Sequence, residues 1–129
     1  MIFELWILIA ATFWGLVHLT FAALFFKAQV GNKYTMGSRD EQIQPAGIAA
    51  RFYRAQWNFL ETYPFFAVCV MIVFITNSAG SLSYWGAWLY LVGRVLFLPF
   101  YAADLPWLRS LAWNIATLGL VLVGSQVFF

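Results

Sequence analysis

The feature that most constrains this chain is residues 5–26 (LWILIAATFWGLVHLTFAALFF), 22 residues without a single charge. About 20 apolar residues in a helix cross the hydrocarbon layer of a bilayer. In water the same run would have to be covered by protein, and only 129 residues are present to cover it. The remainder is no more polar: 64% of the chain is hydrophobic and 9% charged, against about 25% charged in a soluble domain. So little charge excludes an ordinary soluble globule and a disordered chain. The run also exceeds the roughly 7–15-residue apolar core of a cleaved signal peptide, and no basic segment precedes it, so it reads as a retained helix. The fold class is an all-α membrane protein.

Four spans fit into one domain, residues 1–129: about 4–26, 46–75, 82–103 and 106–128. Residues 27–45 (KAQVGNKYTMGSRDEQIQP) are polar and read as a loop, and 77–81 (NSAGS) as a turn. Pro106 opens the last helix, where its missing N–H has no intrahelical partner in any case. Lys27, Lys33, Arg39, Arg51 and Arg54 gather on and beside the first loop, and Arg109 follows the third span. The N-terminus and residues 76–83 hold no Lys or Arg. By the positive-inside rule both termini lie outside and the charged loops face the cytoplasm.

A net charge of +2 without a Lys/Arg block gives no basis for binding nucleic acid. One cysteine and one histidine cannot form an internal disulfide, or a His/Cys metal cage within one chain. Cys69, inside an apolar run, is expected to be a buried, inert thiol. His18 is expected to hydrogen-bond between helices rather than relay protons, and Glu4 to be solvated at the start of the first helix. Trp6, Trp85, Trp88 and Trp107 fall near span ends, as interfacial anchors do, and Gly93 suits close helix contact.

The polar residues at membrane depth carry the functional information, because charges there are costly unless paired or watered. At 100° per residue Arg51, Arg54, Asn58 and Glu61 fall within an arc of about 80°, along roughly 15 Å of helix. Arg94 and Tyr101, seven residues apart, share a face of the third helix, with Tyr90 one turn earlier; Arg109 starts the fourth. Four guanidiniums against Glu61 and Asp104 leave a positive surplus suited to a carboxylate-bearing anion. Glu61 can pair with an Arg or hold a ligand ammonium. The competing reading is that these residues are interhelical pairs and snorkelling ends.

Residues 51–64 (RFYRAQWNFLETYP) closely resemble the second-helix signature of the MAPEG family, the membrane-associated proteins in eicosanoid and glutathione metabolism. That signature reads Arg-x-x-Arg-Ala-Gln/His-x-Asn-x-x-Glu followed by Pro. Arg94 with Tyr101, and Arg109-Ser110 at the head of the fourth helix, extend the resemblance over nearly the whole chain, and Gly37-Ser38-Arg39-Asp40-Glu41 is similar to the bacterial branch. The resemblance implies a homotrimer with glutathione as co-substrate between subunits at the cytoplasmic side, in a bacterial inner membrane with periplasmic termini. By position, Arg51, Arg54, Asn58 and Glu61 would grip glutathione, Arg94 and Tyr101 would complete the site, and Gln56 would serve the adjoining subunit's site. Arg109 would be the catalytic residue, stabilising the glutathione thiolate for attack on a lipophilic electrophile or lipid hydroperoxide arriving from the lipid.

Trp57, Phe97 and Trp113 depart from the eicosanoid-forming branch, which has Arg, Tyr or His, and Tyr at these places. They point instead to general glutathione transferase or peroxidase activity, as in microsomal glutathione transferase. Two other readings make different demands. A noncatalytic lipid-binding scaffold of the same fold would bind lipid without forming thiolate. A proton-coupled exporter would need a carboxylate within the first helix, which holds only the terminal Glu4.

Overall fold

A computed structural model describes all residues, Met1–Phe129, and contains no strand. Helix α1 spans Phe3–Val30, α2 Asn32–Met36, α3 Gly47–Ile75, α4 Ser81–Ala102 and α5 Pro106–Ser125, followed by a 3-10 turn at Gln126–Phe128. The last three long helices lie where the hydropathy places them. The first does not end by residue 26: it continues for another turn, since Lys, Ala, Gln and Val are polar or small but do not break a helix. It stops at Gly31, whose φ of +89° is open to glycine and whose N–H donates back to the Lys27 carbonyl at 2.7 Å. The polar stretch expected to be loop throughout also contains α2.

Three helices are long and apolar enough to cross a membrane: α1, α3, and α5 with its terminal turn. Their outward faces show large apolar side chains such as Phe13, Leu24, Phe65, Ile75 and Val121, which suits lipid and not water. This is a membrane protein. Helix α4, 22 residues long, rises about 33 Å at 1.5 Å per residue. Its Ser, Tyr, Trp and Arg94 make it less apolar, and it turns the most polar of them inward: Ser83, Tyr90 and Arg94 are all fully buried.

Helices α4 and α5 form the tightest pair. A Cβ added at Gly93 would meet the Ala116 nitrogen at 2.7 Å and the Ala112 carbonyl at 2.8 Å, and one at Gly86 would meet the Gly119 carbonyl at 2.6 Å. Backbone therefore packs on backbone, as small residues permit in a membrane. Helix α1 lies along α3, and α3 also touches α4 and α5.

The two ends of the bundle differ in chemistry. At one end Glu4 is not solvated but 3% exposed, because the start of α1 packs against the start of α4. The buried Ser83 hydroxyl donates to the Glu4 carboxylate, and the Ser83 N–H donates to Gln126 Oε1 at 3.0 Å. This cluster satisfies donors at the head of α4 that no intrahelical carbonyl reaches. The opposite end gathers the 31–46 connection, the end of α4 and the start of α5, and there the arginines meet.

Candidate functional site

The polar arc of α3 is a seam against α4. Because the two helices run antiparallel, residues ascending one meet residues descending the other. Arg51 Nη1 donates to the Ala102 carbonyl at 3.1 Å, Arg54 Nε to the Tyr101 hydroxyl at 3.1 Å, and Arg94 Nη1 to Asn58 Oδ1 at 2.8 Å. Thr62 and Tyr90 hydroxyls pair at 3.0 Å one turn further on. Part of the arc's bonding capacity is thus used within the chain, as the interhelical reading requires. What remains unused decides what the site can bind.

Beside this seam a cavity of about 410 Å³ opens between α3, α4 and α5, lined by Asn58, Phe97, Tyr101, Arg109, Ser110 and Trp113 among others. Two guanidiniums flank one of its walls. Arg109 lies over the Tyr101 ring, 4.7 Å from its centroid, and Arg54 lies 5.9 Å from the same centroid while bonding its hydroxyl. Cation–π contact holds such groups without consuming their N–H donors. The one ion pair of the chain is Arg51 with Asp104, 3.7 Å apart, so Arg54 and Arg109 keep their charge uncompensated by any paired carboxylate. No acidic residue lines the cavity. It is a donor-rich, cationic cleft with aromatic walls, which matches an anion attached to apolar or peptide-like matter.

Arg94 is placed differently from the expectation that it completes the binding surface. It is fully buried, with Phe97 at 4.3 Å and Phe59 at 5.5 Å from its guanidinium carbon. It stands behind the cavity wall and acts on Asn58. An arginine can only donate, so Asn58 must turn its carbonyl oxygen to Arg94, which leaves the Asn58 amide N–H groups for the cavity. Asn58 is thereby a donor toward a ligand.

The other expected residues divide. Arg51 and Asp104 tie α3 to the α4–α5 turn at the surface. Glu61 is exposed and does not line this cleft; Gln56 is half-buried and also outside it. Trp57 is exposed, whereas Phe97 and Trp113 form cavity wall. Cys69 is half-buried against Gly124, in an apolar setting. His18 departs from expectation: it is fully buried, yet neither ring nitrogen has a hydrogen-bond partner. It stacks on Phe59 at 5.0 Å, so its direct contacts are aromatic packing and not hydrogen bonds to another helix.

Sequence reading missed a second cavity, of about 590 Å³, built by the 31–46 connection over α3. Arg39, Tyr34 and Gln42 line it together with Arg54, Tyr53 and Trp57. Arg54 therefore stands between this vestibule and the Arg109 cleft. The Gly, Asn, Ser and charges of residues 27–45 marked a loop, but composition does not tell which α3 residues it covers.

Among protein-family models, that of the MAPEG family matches residues 7–129. Searches of curated proteins and of solved structures find no match. The family match takes in every residue of the cleft and of the vestibule, and it agrees with a helical membrane protein whose charges converge at one end. The chain belongs to the MAPEG family.

Proposed function

We propose that the chain is a membrane-bound glutathione transferase, with peroxidase activity as a variant of the same chemistry. The observation that carries this reading is the cleft in which Arg109 and Arg54 bracket Tyr101 with no carboxylate on its walls. Glutathione, a peptide-like anion with two carboxylates, an amine and a thiol, fits such a donor set, and its thiol supplies the nucleophile. Arg51, Arg54 and the Asn58 amide would hold its carboxylates and carbonyls. Glu61, unpaired on the same helix face, would take its ammonium. Tyr101 would support the backbone of the ligand, and Arg94 would act through Asn58.

Arg109 would face the thiol. A free thiol has a pKa near 8.5, and a fixed cation beside it lowers that value and enlarges the nucleophilic fraction at neutral pH. Phe97 and Trp113 give the cleft an apolar wall against which a lipophilic electrophile or lipid hydroperoxide would rest. A homotrimer would complete the site, with Gln56 turned to a neighbouring subunit and α4 serving as the fourth crossing. In this arrangement the arginine end faces the cytoplasm of a bacterial inner membrane.

The test is glutathione added to the purified protein in detergent, with thiolate absorbance and conjugation to an aryl halide as readouts. Both signals should appear in the wild type, and both should fall in Arg109→Ala. Lipid binding with no thiolate would instead identify a noncatalytic scaffold of the same fold.

A further inference from the structure

Buried polar atoms nearly always have partners, and each exception asks for an explanation. Here four unpartnered nitrogens belong to only two side chains: Nδ1 and Nε2 of His18, and Nε and Nη2 of Arg94. Both side chains are fully buried. They come from different helices, α1 and α4, yet share two neighbours. Phe59 stacks on the His18 ring at 5.0 Å and lies 5.5 Å from the Arg94 guanidinium carbon. Trp14 meets the His18 ring edge-on at 5.8 Å and donates its indole N–H to the Arg94 carbonyl at 3.1 Å. Helix α1 can come this near because of Gly15, where a Cβ would lie 2.9 Å from Phe59 Cε1.

We propose that His18 is a positioning residue for the cleft: through a bound water, its imidazole accepts a hydrogen bond from the Arg94 guanidinium. This inference rests on the proposed function for its effect on binding, but not for its geometry. A bridging water satisfies an acceptor on His18 and a donor on Arg94 together, and internal waters occupy such sites. An imidazole that accepts is neutral, and neutrality also avoids setting two cations side by side away from water. The Arg94 fork is then fixed on two sides, by His18 through the water and by Asn58 directly. The consequence reaches the cleft, because Arg94 determines which end of the Asn58 amide faces a ligand.

The chain has one histidine, so labelling with ¹⁵N-histidine gives a single imidazole to observe in the detergent-solubilised protein. The expected spectrum is a neutral ring with one hydrogen-bonded acceptor nitrogen, and that resonance moves in Arg94→Lys. Asn58→Ala, which retains Arg94 but frees it, should also move it and serves if Arg94→Lys does not fold. A charged ring, or a resonance indifferent to both variants, overturns the proposal. In binding, His18→Leu should weaken glutathione affinity by about tenfold, the loss expected for one buried hydrogen bond. His18→Gln, which still accepts, should restore affinity to within about twofold, with turnover at saturation unchanged in both. Equal losses in the two variants would mean packing alone and would contradict the proposal. A wild type that binds no glutathione would overturn the functional reading, while the ¹⁵N comparison would still decide the role of His18.

Discussion

Arg94 Nη1 donates to Asn58 Oδ1 across the α3–α4 seam at 2.8 Å, and this is the one hydrogen bond made by a guanidinium that is wholly removed from solvent. The bond joins fold and site. It secures a buried charge, and it turns the Asn58 amide donors toward the cleft that Arg109 and Tyr101 share.

Two substitutions at Asn58 should therefore separate stability from binding. Asn58→Leu leaves the buried guanidinium with aromatic faces alone, and should lower stability in detergent by about 2 kcal/mol, the scale of a hydrogen bond to a charged group. Asn58→Asp offers Arg94 an ion pair and should retain the melting temperature, while presenting a carboxylate to an anionic ligand and abolishing glutathione binding. Equal melting temperatures for Asn58→Leu and the wild type would contradict this account of the seam.

Arg109 makes no ion pair and rests on the Tyr101 ring. Arg109→Ala should change stability by no more than about 0.5 kcal/mol, as surface substitutions usually do. Turnover should nevertheless fall by tenfold or more, with glutathione affinity much less affected. Steady-state kinetics compared with equilibrium binding checks this split. A parallel loss of affinity and turnover would assign Arg109 to binding.

The α4–α5 pair depends on missing side chains. Gly93→Ala places a methyl group 2.7 Å from the Ala116 nitrogen and should destabilise the protein by about 1–3 kcal/mol, the usual cost of overpacking. Thermal unfolding in detergent reads this directly. A neutral result would show that the two helices separate more readily than their backbone contact indicates.

Arg51 and Asp104 are 3.7 Å apart, with side chains 37% and 67% exposed. Such pairs contribute about 0–1 kcal/mol. Arg51→Ala should hence leave stability nearly unchanged, yet weaken glutathione binding several-fold as Arg51 exchanges Asp104 for a ligand carboxylate. Calorimetric titration at two salt concentrations checks it: the difference between variant and wild type should shrink as salt rises.

Much of the bundle was legible because hydropathy in a membrane is nearly a direct record of helix placement. The starts of α3 and α5 follow from it within a residue or two, and Pro106 marks the latter. The end of α1 was not legible, since polarity alone does not stop a helix and Gly31 does. The cleft was legible as a set of residue types at helical spacing: Arg54, Asn58, Tyr101 and Arg109 do converge on one end. Which of them point at a ligand was not, because periodicity places a side chain on a face without saying what occupies the facing helix. Arg94 and Asn58 share such a facing position, so one arginine became a support. Glu4 was misread for the same reason, being enclosed by residues from a helix remote in sequence.

An arginine cleft that binds glutathione and activates its thiol must enlarge the thiolate fraction at neutral pH. The most direct measurement is the thiolate absorbance of glutathione titrated into the solubilised protein at neutral pH, for the wild type and for Arg109→Ala. A saturable thiolate signal is expected in the wild type, well below the free thiol's pKa near 8.5, and its loss in Arg109→Ala while binding persists. Saturable binding with no thiolate in the wild type, or a thiolate signal undiminished by Arg109→Ala, would contradict such activation.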